Sequence, residues 1–444
     1  MTRYLGSGHD PAPDTRGLTG AVPAHLPPRL TITLWDFSWY TRAGVGEPYA
    51  HLDAALDEAV DRGYNAIRIC AAPLLLFGGL GLDELAGDLA IEGLGRSPHG
   101  EVFGNGTRWY DVPGGYRLDL RRRFFDLLRG ARERGIVVIL ASWEYQQSPA
   151  FAADEQWFRA IDAVPLTERY DLLASATIRM LDEIEAAGLA DTIAFAELHN
   201  EVDFSIVPAF DDGGDDALDR VRAAHPGHLV TASYGKAPFL DLAALSERFQ
   251  VGQLHVYAYG VLDALQRRID IRAEGTDGFP GEGMRALLVA EAPAFAEYGR
   301  AADWKFEATV ITDQQIYGYD WVDPDLWDRW LYNHYGLYRE EMLREIGSRV
   351  TALAAWSRRR GIPAVVGEGW VGYTPLRADF EDGPVGTELA EHGVRTALEH
   401  GVWGMVLSSN AAPHHPQWAD VAWQRRLNAE ILAAPTTSGP PRTA

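Results

Sequence analysis

Eight short apolar runs, rich in β-branched and aromatic residues, punctuate the chain at Leu30–Asp36, Asn65–Cys70, Ile136–Ser142, Thr192–Leu198, His228–Ala232, Val251–Tyr257, Ala364–Glu368 and Trp403–Ser408. Each is bounded by turn or polar residues, the pattern of a parallel strand buried on both faces. Helical periodicity fills most of the intervals, at Tyr49–Arg62, Leu118–Arg134, Leu166–Ala187, Asp215–Ala224, Phe239–Arg248, Tyr335–Arg360 and Glu388–His400. Gly63, Gly135, Gly361 and Gly401 each follow a helix and precede a strand, where a left-handed helix stop is expected. Strands alternating with helices in this number predict an α/β fold, a closed (β/α)8 TIM barrel.

Such a barrel absorbs nearly the whole chain. Residues 29–435 read as one domain, preceded by a Pro-, Gly- and Asp-rich lead-in over 1–28 and followed by a loose tail at 436–444. Two long insertions are expected, at about 71–117 and 258–333, the second containing a segment, Arg285–Glu291, that reads equally as helix or added strand. Both follow strands, so both belong over the C-terminal face of the barrel, where they narrow an open cleft toward a pocket. The net charge of −23 argues against a nucleic-acid or anionic-membrane partner. The basic runs Arg121–Arg123 and Arg358–Arg360 read as solvated helix faces, and the single cysteine, Cys70, has no internal disulfide partner. No stretch approaches the roughly 18 apolar residues of a membrane span. The N-terminal segment lacks the apolar run of a secretory signal, so the expectation is a cytoplasmic protein.

Two strand ends carry the chemistry. Ala196-Glu197-Leu198-His199-Asn200-Glu201 closes the fourth strand, and Ala364-Val365-Val366-Gly367-Glu368-Gly369-Trp370 closes the seventh. They set two carboxylates, Glu201 and Glu368, on opposite sides of one barrel mouth. Glycosidic bond cleavage needs that arrangement: one carboxylic acid protonates the leaving oxygen while the other carboxylate acts at the anomeric carbon.

Leu-x-Asn-Glu followed by a Gly-Glu-Gly strand resembles the cellulase-like retaining glycoside hydrolases of the (β/α)8 clan, nearest to glycoside hydrolase family 5, in a divergent form. The resemblance implies Glu201 as acid/base, Glu368 as nucleophile and Asn200 as a contact to the sugar 2-hydroxyl. It also matches Arg68 on strand two, beside the nucleophile, and His255 and Tyr257 on strand six, near the same carboxylate. Two positions depart from the pattern: Val202 stands where the family has Pro, and Ser408-Ser409-Asn410 stand where it has a sugar-stacking Trp. A free Glu titrates near ~4.3, and a second carboxylate about 5 Å away makes double ionisation costly, so one of the pair must hold a proton. Arg68 and Tyr257 beside Glu368 favour its anion and direct that proton to Glu201.

His199 and His255 are candidates for a substrate or network role, Arg68, Asn200 and Tyr257 are expected in the substrate-binding set, and Trp35, Trp143 and Trp370 are candidate sugar-stacking platforms against the plainer reading of core packing. Glu144, Glu197 and Glu291 are rival carboxylates. No metal and no cofactor is expected: His414-His415 are adjacent and cannot face one ion together, and Phe77-Gly78-Gly79-Leu80-Gly81 lacks the Lys and the strand–helix context of a phosphate loop. The reading is therefore a retaining β-glycosidase, exo-acting on small glycosides or oligosaccharides, with a carbohydrate substrate as its partner. A sugar-binding barrel without catalysis and a transglycosylase using the same residues are the alternatives.

Overall fold

The computed structural model describes residues 22–272 and 278–435. The tail expected at 436–444, and the lead-in before residue 22, lie outside the described residues.

Eight parallel strands form one sheet: β1 (Leu30–Asp36), β2 (Ala66–Cys70), β3 (Val137–Ala141), β4 (Ile193–Glu197), β5 (Val230–Thr231), β6 (Gly252–Ala258), β7 (Ala364–Val371) and β8 (Gly404–Val406). They pair in chain order from β1 to β5 and from β6 to β8, and β8 pairs with β1. The seam between β5 and β6 is joined by a parallel bridge from Tyr234 to Leu254, which closes the (β/α)8 barrel. All eight strands coincide with the apolar runs of the sequence. The reason is physical: helices cover the outer face and side chains fill the inner one, so the strands are mostly apolar, and the few polar residues in them, such as Arg68, Glu197, His255 and Glu368, are paired with one another.

Leu30, Ile32, Ala66, Ile139, Phe195, Val365 and Val406 fill the barrel interior. Trp403 lies low in that interior, its ring 6.3 Å from Phe195 and its indole N–H donated to the Pro27 carbonyl at 3.0 Å. It is part of the floor and far below the mouth.

The helical layer departs from expectation in three places. Residues Pro324–Arg360 form one helix of 37 residues, beginning well before Tyr335. Its start is written in Asp323-Pro324: the Asp323 carboxylate accepts from the backbone N–H of Asp325 at 2.9 Å, and proline occupies the first turn, where no N–H is needed. Gly361, at φ +66°, ends it in the left-handed conformation expected. Phe239–Arg248 is not an α-helix and contains only a 3-10 turn at Leu242–Ala244. Leu242, Leu245 and Phe249 are buried while Leu240 is fully exposed, and the long helix packs beside this turn and covers that part of the sheet. Arg285–Glu291 is neither alternative: a short helix ends at Arg285, and Leu288 makes a single antiparallel bridge to Val322.

The segment after β2 holds helices at Pro73–Phe77 and Asp83–Gly87 and an antiparallel pair, Leu89–Ile91 with Tyr116–Leu118. It is tied to the segment after β6 by buried contacts. Asp320 accepts from the backbone N–H of Gly104 at 2.7 Å and of Gly106 at 2.6 Å, and the buried Lys305 ammonium donates to the Gly93 carbonyl as well as to the carbonyls of Ala150 at 3.1 Å and Ala152 at 2.9 Å in the loop after β3. Among the described residues no helix is long and apolar enough to cross a membrane.

Candidate active site

The barrel mouth opens into a cavity of about 390 Å³. Glu201 and Glu368 face each other across it, 8% and 7% exposed. Glu368 projects from β7 in register with His255 of β6, so the adjacent strands place acid and imidazole side by side. Glu201 follows β4 with φ +45°, an uncommon backbone for a residue with a side chain, held by its N–H donated to the Ser233 hydroxyl at 3.0 Å. Val202 donates its own N–H to the Ser233 carbonyl at 3.0 Å, a bond that proline at this position could not make.

Glu368 is held as an acceptor. Arg68 donates to Oε1 and the Tyr257 hydroxyl to Oε2, both at 2.8 Å. Burial alone would raise its pKa, but the nearby charges of His255 and Arg68 and the bonds from Arg68 and Tyr257 outweigh burial and keep it below the usual range. Burial and the Glu368 charge hold the Tyr257 phenol protonated, fit to donate. Glu201 moves the other way: burial and the Glu368 charge raise it, against an opposing pull from His255. His255 Nδ1 bonds Glu201 Oε1 at 2.8 Å, and Gln146 donates to Oε2 at 2.9 Å. His255 Nε2 lies 3.6 Å from Glu368 Oε1, so the imidazole stands between the two carboxyls, and their charges raise its pKa despite burial.

Beneath this pair Arg68 is completely buried. It forks onto Glu197 through Nε at 3.0 Å and Nη2 at 2.8 Å, reaches Asn200 Oδ1 at 2.6 Å, and lies 4.6 Å over the Trp143 ring. Glu197 therefore anchors Arg68, with Gln253 as its second donor at 2.8 Å. Glu144 belongs to the loop framework, accepting from the N–H groups of Leu74 and Leu75, both at 2.8 Å, with burial raising it to about 7. Glu291 is exposed and does not line the cavity.

Of the other residues singled out in the sequence, Asn200, Trp143 and Tyr257 line the cavity. His199, Trp35 and Trp370 are not among its lining residues, and neither are Arg68 and His255, which bond the two carboxylates from behind. His199 accepts from the Tyr145 N–H at 3.1 Å and bonds the Asn200 carbonyl at 2.7 Å, and burial lowers its pKa to about 4, leaving it a neutral strut. Trp35 packs edge-on to Tyr49 with centroids 5.1 Å apart, outside the cavity. Trp370 is turned into the helical layer and donates to the Leu407 carbonyl at 3.1 Å. Ser409, in the place of the strand-eight Trp, bonds the Tyr257 hydroxyl at 2.9 Å and so supports Glu368 from behind.

Gln146, Tyr259, Tyr319 and Tyr373 also line the cavity and carried no mark in the sequence. Glu201, His255 and Glu368 are the one group of potential metal ligands among the described residues, with donor atoms within 4.8 Å of one another. The Arg68 guanidinium already neutralises Glu368 there, so the set is suited to sharing protons rather than to holding a cation.

Residues 32–211 and 299–432 match the family described as sugar-binding cellulase-like. The chain belongs to that cellulase-like family. No curated protein sequence matches it. Among solved structures, this cellulase-like chain is similar to a putative glycoside hydrolase from Parabacteroides distasonis, with a TM-score of 0.61, 21% identity, and coverage of 92% of this chain and 95% of the other. It also matches a GH5_18 protein from Streptomyces cattleya solved with GlcNAc, with a TM-score of 0.46 and 15% identity over 93% of this chain and 82% of that one. The cellulase-like chain thus has the fold of a glycoside hydrolase and is a divergent member at low identity.

Gly235 sets a tolerance on the site. A Cβ there would lie 2.5 Å from Glu201 Oε1, too close for contact. Gly235→Ala is expected to displace the Glu201 carboxyl with little change in the unfolding midpoint and, if Glu201 is the acid/base, to lower kcat roughly 10²-fold. Steady-state kinetics and a urea titration of the same sample check both parts.

Proposed function

We propose that this protein is a retaining β-glycosidase, exo-acting on small glycosides or oligosaccharides, with Glu201 as acid/base and Glu368 as nucleophile. The observation that carries the reading is the pair itself: carboxylate oxygens of Glu201 and Glu368 approach within 4.8 Å, with opposite shifts in proton affinity. Carboxyl groups about 5–5.5 Å apart suit a double displacement, whereas inversion needs roughly 6.5–9.5 Å to admit a water. Glu368, held as an anion by Arg68 and Tyr257, attacks the anomeric carbon. Glu201 gives its proton to the departing oxygen, and then takes one from the water that releases the sugar. The glycosyl-enzyme divides one hard displacement into two easier ones.

The test is release of the aryl group from a panel of aryl β-glycosides (glucoside, galactoside, mannoside, xyloside, fucoside, arabinoside), with the first-formed anomer read by NMR. A β-anomer at early times supports the reading. An α-anomer means inversion. No release, combined with thermal protection by free sugars, moves the chain to the sugar-binding alternative.

The pH profile is a second expected result. Activity requires Glu368 ionised and Glu201 protonated, so kcat/KM is a bell with its acid limb below the usual carboxylate range and its alkaline limb above it. His255 lowers both carboxyls. Its removal in His255→Gln raises both, so both limbs move to higher pH. A shift of only one limb, or a shift downward, contradicts the placement of the imidazole between the two.

A further inference from the structure

The ends of β3 and β4 are laced together around the Glu201 carboxyl. Asn200 donates its backbone N–H to the Ser142 carbonyl at 2.8 Å. Tyr145 is bonded on both sides, its N–H donated to His199 Nε2 at 3.1 Å and its carbonyl accepting from the Ile206 N–H at 2.9 Å. Gln146 follows at once and donates its own N–H to the Trp143 carbonyl at 3.1 Å, so its backbone stands on a fixed turn. The side chain is buried and still borders the cavity.

The Gln146 amide completes a run of hydrogen bonds whose directions are all determined. Arg68 carries only donors, so the Asn200 atom that meets its Nη2 at 2.6 Å is the amide oxygen. The Asn200 nitrogen then donates to Gln146 Oε1 at 2.8 Å, which leaves the Gln146 nitrogen to donate to Glu201 Oε2 at 2.9 Å. Reversing either amide would set two donors against each other. Glu201 is thereby held at both oxygens, by Gln146 at Oε2 and by His255 Nδ1 at Oε1, 2.8 Å away. Arg68 also donates to Glu368 Oε1 at 2.8 Å, so the run Glu368–Arg68–Asn200–Gln146–Glu201 joins the two carboxyls without a break.

An acid that must become a base between two steps needs a donor that steadies its anion and cannot take the proton itself. Gln146 meets both conditions. An amide nitrogen has no basic lone pair, and the amide oxygen is already occupied by Asn200. The same bond fixes the orientation of the carboxyl, on which proton transfer to a leaving oxygen depends.

We propose that Gln146 is a positioning residue for the acid/base, its amide fixing the plane of the Glu201 carboxyl and steadying the anion left after proton transfer. The role rests on the glycosidase reading above, and it is exerted through Glu201 rather than on the sugar.

The test compares wild type with Gln146→Met, which keeps the length of the side chain and removes the amide, on aryl β-glycosides whose phenols range from good to poor leaving groups. Poor leaving groups depend on the proton from Glu201 and good ones do not. The kcat/KM is therefore expected to fall roughly 10- to 100-fold for the phenyl glycoside and to change little for the dinitrophenyl glycoside. A hydrogen bond to the ionised form favours that form, so its loss moves the alkaline limb of kcat/KM up by about half a unit to one unit. The acid limb stays in place, whereas loss of His255 moves both. The ratio between two substrates and the position of a limb are read within one sample, so both hold where part of the variant is unfolded. Equal losses across all leaving groups, with both limbs unmoved, assign Gln146 to the framework and overturn the proposal while leaving the glycosidase reading intact. Failure of wild type to cleave any of the glycosides overturns that reading and this one with it.

Discussion

On the proposed mechanism, replacing Glu368 with glycine is expected to reduce hydrolysis of aryl β-glycosides by roughly 10⁴-fold or more, because it removes both the attacking atom and its anion. The interest lies in what restores turnover. The vacated volume lies beside Arg68 and the Tyr257 hydroxyl, two donors that formerly bonded the carboxylate at 2.8 Å each. A small anion such as azide is drawn to the same donors and attacks the anomeric carbon from the face Glu368 occupied. One displacement then replaces two, and the product is the α-glycosyl azide. Its appearance by NMR, together with an aryl release rate that rises with azide concentration, identifies Glu368 as the nucleophile. Release of a β-azide would instead place the nucleophile elsewhere and return Glu368 to the acid/base role. Glu201→Gly serves as the control, since azide entering on that side captures the glycosyl-enzyme and yields the β-azide. The two variants are thus separated by product stereochemistry as well as by rate.

The parts of this molecule that were legible in the sequence share one property, which is that a local pattern determined them. The eight strands are continuous apolar runs because both faces are covered, and Glu201 and Glu368 stand at the ends of two of those runs. Parts set by distant contacts were not legible. His199 has the same sequence neighbours whether it faces the cavity or the framework, and the Tyr145 N–H at 3.1 Å decides for the framework. Trp370 stands two residues after Glu368 on β7, where strand alternation alone would give both the same face, yet its ring faces the helices and fills the space that Gly393 leaves on the neighbouring helix, where a Cβ would come within 2.3 Å. Gln146 and Tyr373 reach the cavity from loops after β3 and β7, with no motif to announce them. The helix start at Asp323-Pro324 was legible in principle, since a capping residue followed by proline is a local signal, but long-range periodicity pointed to the later start.

Arg68 carries the second large effect, on stability as well as on rate. It is a fully buried cation between two buried carboxylates, Glu197 and Glu368, at 2.8 Å from each. Removing a partner from a buried ion pair leaves an uncompensated charge in a medium that solvates it poorly, at a cost of about 3–5 kcal/mol. Arg68→Met keeps the packing on Trp143 and removes the charge, so urea unfolding is expected to show a loss of that order. Arg68→Lys is expected to recover little, because an ammonium is a point charge and cannot fork onto Glu197 while also reaching Glu368 and Asn200. The structural and chemical roles then separate in a double variant. Adding Glu197→Gln to Arg68→Met removes one stranded charge and is expected to restore much of the stability, while kcat stays low because Glu368 still lacks its donor. The acid limb of any residual activity also moves to higher pH, since Arg68 is one of the groups holding the Glu368 carboxyl down. Full recovery of kcat in the double variant would assign Arg68 to the framework alone. Stability lost without recovery in the double variant would instead place the main cost at Glu368, making the nucleophile the more costly of the two charges to bury.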